Sequence, residues 1–339
     1  MIIDIFQEVI TMASQDSAKT FNVDMWQINI KVVITNVLML SGFALIGGIF
    51  IPWLLGTYRR GFFCNDLSIR YTYKDSTVSS TCLILYAFCV IIFTIFVAEL
   101  YSTRGLKRNF YEEFKVGTIT VHPMIVAALT YIGYSQIGLA ITYVITNLTK
   151  NAVGRLRPHF LDVCKPSDVI CSIDDYATYI TNYTCTGDAQ LVLEARKSFF
   201  SGHSSIAMYA STYAVLYLQS RLLRTAIMKV ALPIIQTVII SIGLLISYSR
   251  INDNNHHWSD VVVGIIVGVF VASFNCIVWC KMFARHQDEV LPLNRGKRLS
   301  HGNSLWRPVN VSRQSASSNV DQKDNHAVVS VTQQNPMIV

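Results

Sequence analysis

The sequence predicts an all-α integral membrane protein with six transmembrane helices, and three observations support this prediction. Charged residues make up 14% of the chain and hydrophobic residues 52%, whereas soluble domains carry roughly 25% charged residues. The mean hydropathy is +0.39. The 339 residues also include six long stretches without Asp, Glu, Lys or Arg. This composition excludes a soluble disordered, collagen-like or small disulfide-scaffold protein.

Each uncharged stretch is long enough to cross a bilayer, which takes about 20 apolar residues in a helix. The fourth and fifth stretches are expected to be the least apolar, because their Ser, Tyr and His side chains favour packing against protein rather than lipid. The third helix is expected to begin near Pro123. The six stretches are 32–55, 76–98, 116–149, 199–220, 230–249 and 261–280.

The domain organisation follows from these spans. Residues 1–27 lack the basic and apolar pattern of a signal peptide, so we expect a cytosolic N-terminal segment there. Residues 28–285 form the predicted six-span domain. Residues 286–339 are rich in Ser, Asn, Gln and Val without helical periodicity, which predicts a disordered cytosolic tail.

An even number of spans predicts which connections share a membrane face. Residues 56–75, 150–198 and 250–260 fall on one face, and both termini fall on the other. The first face carries the glycosylation sequon at Asn182 and four cysteines, which suit an oxidising compartment. We therefore expect this face outside the cytosol, at the plasma membrane. Two disulfides in any of three connectivities are open to Cys64, Cys164, Cys171 and Cys185.

Ionisable residues gather where the spans reach this outer face. Such charges at a membrane edge are costly and usually functional. Cations and imidazoles at one depth repel each other unless an anion lies among them, and arginine suits the binding of phosphate. Backbone N–H groups at the start of the fourth span would add further donors. The pattern predicts a site for a tetrahedral oxyanion, formed by Lys150, Arg157, Ser201, Gly202, His203, Arg250, His256 and Asp260.

The two histidines suggest complementary roles in transfer of a phosphoryl group. His256 and Asp260 are four residues apart, so one helical turn would bring the carboxylate to one ring nitrogen and leave the other basic. His256 is therefore the predicted nucleophile. His203 would protonate the departing alkoxide and then deprotonate a water. Lys150, Arg157 and Arg250 would hold the phosphate oxygens.

Neighbouring residues receive simpler interpretations. Arg155 is expected to point outward into solvent. Arg196 and Lys197 are expected to attract an anionic substrate without touching it. His257 and Trp258 are expected to anchor the sixth span at the membrane interface.

Three segments together resemble the signature motifs of the type 2 phosphatidic acid phosphatase (PAP2) superfamily. They are Lys150-x6-Arg157-Pro158, Ser201-Gly202-His203 and Ser249-Arg250-x5-His256-x3-Asp260. The stretches 60–66, 157–164 and 256–260 resemble the animal lipid phosphate phosphatases in particular. The resemblance covers roughly residues 30–285, and Phe200 departs from it where many members have Pro.

The resemblance implies six helices with a PAP2 and acid-phosphatase-like helical core and an external active site. It implies hydrolysis of lipid phosphate monoesters through a phosphohistidine at the position of His256, without a metal ion or other cofactor. Expected substrates are phosphatidic acid, lysophosphatidic acid, ceramide 1-phosphate and sphingosine 1-phosphate.

Two other functions are compatible with the sequence. One is a lipid phosphotransferase similar to sphingolipid synthases, and the other is a non-catalytic transporter or binder of lysophospholipids. The expected partners are lipid phosphates, the bilayer, a second copy of the chain and a PDZ domain at Met337-Ile338-Val339. Nucleic acid is not expected, because part of the net charge of +7 lies in short loops at membrane ends.

Overall fold

A computed structural model describes residues 10–12, 25–105, 113–167, 178–222 and 226–283 of the chain. The predicted tail, its C-terminal residues and Cys171 lie outside these ranges. The helices are α1 (Ile30–Leu55), α2 (Ser80–Gly105), α3 (Pro123–Val153), α4 (Phe160–Cys164), α5 (Ala189–Ala195), α6 (Gly202–Leu222), α7 (Ala226–Asn252) and α8 (Trp258–Phe274). The strands are β1 (Ile10–Met12), β2 (Met25–Ile28), β3 (Phe62–Phe63), β4 (Glu113–Val116), β5 (Ile119–Val121) and β6 (Tyr179–Ile180).

Five helices in the described ranges are long and apolar enough to cross a membrane, namely α1, α2, α3, α7 and α8 with its π-helical continuation to Trp279. The remaining predicted span is α6, whose 21 residues would extend about 31 Å. Most of α6 is buried, as its polar composition predicts. The expectation that the fifth span is also weakly apolar is wrong, because α7 is more apolar than α3.

Helix α6 is the centre of the bundle and packs against α2, α3, α7 and α8. Its three tyrosines are fully buried, and each hydroxyl has a partner, as buried tyrosines require. Tyr209 and Tyr213 donate to the carbonyls of Ser135 and Tyr131 on α3, at 2.8 and 2.7 Å. Tyr217 donates to the buried carboxylate of Glu99 on α2 at 2.6 Å. The three tyrosine hydroxyls of α6 are therefore satisfied within the protein.

Two glycines let α8 approach α6 closely. Gly264 and Gly268 lie one helical turn apart, and a Cβ added at either position would contact the backbone of α6. A Cβ at Gly264 would lie 2.6 Å from the Ser201 carbonyl oxygen. This approach brings the starts of the two helices together, where the Ser201 N–H donates to the Asp260 carbonyl at 3.0 Å.

Helix α1 reaches the end of α3 through a π-helical turn over Ile46–Phe50. Gly47 and Gly48 in this turn lie against side chains of α3. The connection that follows α1 is then bound to Asn151, which accepts from the Tyr58 N–H at 3.0 Å and from the Thr57 hydroxyl at 2.7 Å. These contacts hold the segment that carries Lys150.

Two small sheets lie outside the helical bundle. One has the order β1-β2-β4-β5, with β2 and β4 parallel, so the segment before α1 pairs with the connection between α2 and α3. The sequence analysis did not predict these strands, which have only three or four residues each. The other sheet pairs β3 with β6. Near it Cys164 and Cys185 form a disulfide, and Cys64 is also disulfide-bonded.

Candidate active site

The ends of α3, α6, α7 and α8 bring the predicted phosphate-binding residues to one place. Lys150, in the last turn of α3, lies beside the start of α6, because a Cβ added to Gly202 would be 3.5 Å from its Nζ atom. The charges of Lys150, Arg157 and Arg250 all act on the ring of His203. The structure therefore groups residues that are up to 100 positions apart in the sequence.

Arg157 follows the turn at Gly154, whose positive φ of 56° ends α3. Its main-chain N–H donates to the Ala195 carbonyl at 2.8 Å. Its Nη1 lies 3.3 Å from Asn255 Oδ1, and its Nη2 lies 3.5 Å from Glu194 Oε2. Its Nε is buried and has no hydrogen-bond partner in the described parts of the chain. Burial lowers the pKa of this guanidinium, and Arg250 adds to the effect.

Arg250 is held from two sides at the end of α7. Its Nη2 donates to Asp253 Oδ2 and to Ser249 Oγ, both at 2.9 Å. Asp253 in turn accepts from the Thr77 N–H at 2.8 Å and from the Thr77 hydroxyl at 2.6 Å. The predicted second span began at residue 76, but α2 begins at Ser80. The reason is that Thr77 is bound to Asp253 and belongs to the site.

His203 is oriented by the same segment before α2. The main chain of Val78 accepts a hydrogen bond from its ring. Its Nε2 is buried, and the residues that the structure describes offer it no partner. A buried nitrogen without a partner is costly, so this atom and Arg157 Nε are prime candidates for contact with a bound anion.

His256 and Asp260 do not make the direct hydrogen bond that their spacing predicted. The distance from His256 Nδ1 to Asp260 Oδ2 is 3.9 Å, beyond hydrogen-bond range. The predicted helical turn is absent, because α8 begins at Trp258 and His257 is its N-cap. Asp260 Oδ2 instead accepts from the His257 N–H at 3.2 Å. His256 is therefore a residue of the preceding turn.

His256 is neutral in this environment. Burial lowers its pKa to about 3, and the positive charges of Arg157 and Lys150 act in the same direction. Asp260 opposes this shift. A neutral imidazole keeps a lone pair for nucleophilic attack.

Asp260 has more partners than the sequence indicated. Its Oδ2 accepts from the Ser198 hydroxyl at 2.6 Å and lies 3.3 Å from the His257 ring. Its Oδ1 pairs with Arg155, which also donates to Ser259 at 2.9 Å. The expectation that Arg155 points into solvent is therefore wrong, because the buried carboxylate of Asp260 holds it.

Other neighbours also differ from expectation. The His257 side chain is largely buried against Asp260, so it is not an interfacial anchor, whereas Trp258 is 70% exposed. Arg196 packs on the rings of Phe160 and Tyr183 and donates to the Tyr183 hydroxyl at 2.8 Å. Arg196 therefore supports the connection between α4 and α6.

Ser201 and Gly202, the remaining predicted phosphate contacts, lie at the start of α6. The Ser201 Oγ accepts from the hydroxyl of Ser204 at 2.9 Å and from its N–H at 3.4 Å, so this hydroxyl caps the helix. Gly202 lies against Lys150 and Thr146 without a side chain between them. The glycine thus leaves the space into which the lysine reaches.

Comparisons with known proteins agree with this geometry. The family model of the PAP2 superfamily matches residues 135–285, which include every residue of the site from Lys150 to Asp260. The chain is 45% identical over 242 residues to "Phospholipid phosphatase homolog 1.2 homolog" of Caenorhabditis elegans, covering 71% of each chain. The chain belongs to the PAP2 superfamily. Phospholipid phosphatase 1 of Mus musculus is 35% identical over 219 residues, covering 63% of this chain and 73% of the relative.

Phospholipid phosphatase 2 of Rattus norvegicus is also 35% identical, over 228 residues that cover 66% of this chain and 76% of the relative. No solved structure matches the chain significantly. The relatives place this PAP2 protein in the animal lipid phosphate phosphatase branch. It is a multi-pass membrane phosphatase that hydrolyses phosphate monoesters, with lipid phosphates as its substrate class.

The charge of this PAP2 site suits that chemistry. Five cations and three carboxylates in the cluster leave an excess of two positive charges, which would balance a phosphate monoester dianion. No group of three or more His, Cys, Asp or Glu side chains in the described ranges could hold a metal ion. The cations are Lys150, Arg155, Arg157, Lys197 and Arg250, and the carboxylates are Glu194, Asp253 and Asp260.

Sequence reasoning missed Ser198 and Glu194 of this PAP2 site. Ser198 is fully buried between His256 and Asp260. Glu194 lies at the mouth of the site, where Lys197 pairs with it at 3.1 Å. Its pKa is lowered, since Lys197 and Arg157 outweigh the opposing effect of burial. Neither residue stands within a recognised motif, and only their position just before α6 was a signal.

Proposed function

We propose that this PAP2 phosphatase hydrolyses phosphatidic acid, lysophosphatidic acid, ceramide 1-phosphate and sphingosine 1-phosphate through a phosphohistidine at His256. The observation that carries the proposal is that two buried nitrogens of the site, Arg157 Nε and His203 Nε2, have no hydrogen-bond partner among the described residues. A phosphate monoester between them would satisfy both atoms, with Lys150 and Arg250 neutralising its oxygens.

In the first step, His256 attacks phosphorus and the bond from phosphorus to the lipid oxygen breaks. Nδ1 of His256 faces Ser198 and Asp260, so Nε2 remains for the attack. The charge of the bound phosphate dianion favours uptake of a proton from solvent at His203 Nε2. His203 then gives this proton to the departing alkoxide. The products are a lipid alcohol and a phosphoryl group on His256.

In the second step, His203 takes a proton from a water, and the water oxygen attacks the phosphoryl group. The bond from phosphorus to nitrogen breaks, which releases inorganic phosphate and restores His256. Lys150, Arg157 and Arg250 stabilise the charge that spreads over the phosphate oxygens in both steps. No step needs a metal ion or another cofactor.

The proposed site faces the extracellular side of the plasma membrane, with both termini in the cytosol. The Cys164–Cys185 disulfide on the same face supports this orientation, because disulfides persist in oxidising compartments. Asn182 on the same connection is exposed and available for glycosylation. A headgroup could enter the site while its acyl chains stay in the outer leaflet.

Trapping of the phosphoenzyme tests the proposal. Purified enzyme in detergent is mixed with ³²P-labelled lysophosphatidic acid, denatured in alkali and analysed for protein-bound label that is released in acid. Wild-type protein should carry this label and release phosphate in excess EDTA, whereas His256→Ala should do neither. Retained turnover in His256→Ala, or a strict need for Mg²⁺, would contradict the mechanism.

Two controls complete this test. The four lipid phosphates are compared in one panel, and a second lipid is added to detect transfer rather than hydrolysis. Treatment of intact cells with a glycosidase should shift the wild-type band but not that of Asn182→Gln. A wild-type band that shifts only after permeabilisation would contradict the proposed plasma-membrane orientation.

A further inference from the structure

Ser198 lies between the two residues whose direct contact the sequence predicted. Its Oγ is 2.6 Å from Asp260 Oδ2 and 3.5 Å from His256 Nδ1. The direct distance from His256 Nδ1 to Asp260 Oδ2 is 3.9 Å. All three side chains are buried, with 0–3% of each residue exposed. Bulk water therefore has no access to the position between His256 and Asp260 that the serine hydroxyl occupies.

We propose that Ser198 is a positioning residue that connects Asp260 to His256, so that the carboxylate acts on the nucleophile through the serine hydroxyl. This inference rests on the proposed function, in which His256 is the nucleophile. Ser198 does not touch the reacting phosphorus. It fixes the orientation of the His256 ring, which accepts the phosphoryl group and then releases it.

The hydrogen-bond directions follow from the chemistry of the three groups. The short contact to an ionised carboxylate requires that the Ser198 O–H donate to Asp260. The lone pairs of the hydroxyl then accept from the Nδ1–H of His256. This fixes the tautomer in which Nε2 carries the lone pair. When phosphorylation of Nε2 makes the ring cationic, the Nδ1–H bond strengthens without any proton leaving the ring.

The other contacts of Asp260 explain why the serine is needed. Oδ1 is paired with Arg155, and Oδ2 also accepts from the His257 N–H. These bonds fix the carboxylate at the start of α8, too far from His256 for a direct hydrogen bond. Catalytic hydrogen bonds are often long without substrate and tighten in the complex, so the 3.5 Å contact is the one expected to shorten.

A matched pair of variants tests this role. Ser198→Thr and Ser198→Val have side chains of nearly the same shape, but only threonine keeps the hydroxyl. Loss of a hydrogen bond to a charged group typically costs roughly 10–100-fold in rate. We expect that loss in the rate of phosphoenzyme formation for Ser198→Val and Ser198→Ala, with little change in KM. Ser198→Thr should stay within a few-fold of the wild type.

A double-mutant cycle separates the relay from simple packing. If Ser198 transmits the effect of Asp260, Asp260→Asn should cost much less in the Ser198→Ala background than in the wild type. Ser247→Ala is the control, because Ser247 is a buried serine of α7 whose hydroxyl donates to the Gly243 carbonyl of the same helix. This control should leave the rate of phosphoenzyme formation unchanged.

The outcomes distinguish the relay from the proposed function. Wild-type phosphoenzyme together with additive effects of Ser198→Ala and Asp260→Asn would overturn the relay and leave the nucleophile in place. Equal rates for Ser198→Thr and Ser198→Val would also overturn it. Absence of phosphoenzyme in the wild type would overturn the nucleophile assignment and the relay with it.

Discussion

The Arg155 guanidinium forms a salt bridge with the Asp260 carboxylate, which is completely buried at the start of α8. Arg155 and Arg157 are separated by a single leucine, and they serve different partners. Arg155 balances the carboxylate behind His256, the proposed nucleophile, whereas Arg157 presents an Nε without a partner in the described ranges. In the proposed mechanism, Arg155 therefore has a structural role and Arg157 a substrate-binding role.

Arg155→Ala should lower kcat more than it raises KM. A hydrogen bond to a charged group is worth about 1.5–3 kcal/mol, but Arg155 is partly exposed, so we expect a decrease of roughly 10-fold in kcat. Arg155→Lys should recover part of the activity, because the ammonium can still pair with Asp260. Initial rates over a range of substrate concentrations measure both constants. A change confined to KM would instead assign Arg155 to substrate binding.

Glu194→Gln should strengthen the binding of inhibitory anions. The Glu194 carboxylate lies 3.5 Å from Arg157 and repels a phosphate at the same guanidinium. Its side chain is 56% exposed, so solvent screening limits the gain to a few-fold. Inhibition by vanadate, which mimics five-coordinate phosphorus, measures this effect.

Lys197→Gln should have the opposite effect on the binding of inhibitory anions. Lys197 binds the other oxygen of Glu194 at 3.1 Å. Without it, Glu194 should pair more closely with Arg157 and weaken vanadate inhibition. Identical inhibition of Glu194→Gln and wild-type protein would show that the carboxylate does not compete with the anion.

Stability should fall in mild acid, in part because of His159. Burial, together with the charge of Arg157, lowers the pKa of His159 to about 4, although a hydrogen bond to Asn254 opposes the shift. In the unfolded chain the pKa is about 6.5, so the unfolded state takes up a proton first as the pH falls. The free energy of unfolding therefore decreases between about pH 6.5 and pH 4, by at most about 3 kcal/mol from this residue.

His159→Gln tests this contribution, because the glutamine amide can still donate to the Asn254 carbonyl that His159 Nδ1 contacts at 2.8 Å. Melting temperatures in detergent are compared at pH 7.5, 5.5 and 4.5, and the variant should lose less stability on acidification. The exposed His122, which caps α3, supplies the control variant His122→Asn. Parallel pH profiles for His159→Gln and the wild type would contradict the assignment.

Much of this fold was predictable because membrane helices have a strong sequence signal. Uncharged stretches predicted the helical bundle, and motifs at span ends predicted a set of residues that the structure brings close together. The signal fails where helices end. Thr77 lies in an uncharged stretch yet belongs to a loop, because Asp253 binds it from 176 residues away. The short strands likewise depend on pairing between distant segments.

The contacts around Asp260 were less predictable for a similar reason. A spacing of four residues indicates contact only within a continuous helix, and the chain turns at His257 before α8 begins. Ser198 meets Asp260 across 62 positions of sequence. Local periodicity carries no information about such a contact, which depends on the close approach of α6 and α8.

Asp253 should be essential for the geometry of the predicted phosphate-binding residues. It accepts from Arg250 and from both the N–H and the hydroxyl of Thr77, and it is 2% exposed. Asp253→Ala would leave the buried Arg250 charge without its partner, and breaking a buried pair in this way costs about 3–5 kcal/mol. We expect a lower melting temperature and a large decrease in kcat/KM.

Thr77→Val provides the graded comparison, because it removes one hydroxyl but keeps the main-chain N–H that donates to Asp253. The expected loss is about 1 kcal/mol of stability, with a smaller decrease in kcat/KM than for Asp253→Ala. Melting temperature and kcat/KM are measured on the same detergent preparations. If Asp253→Ala kept the kcat/KM of the wild type, Arg250 would not depend on this carboxylate for its position, and its assignment to the phosphate oxygens would need a different support.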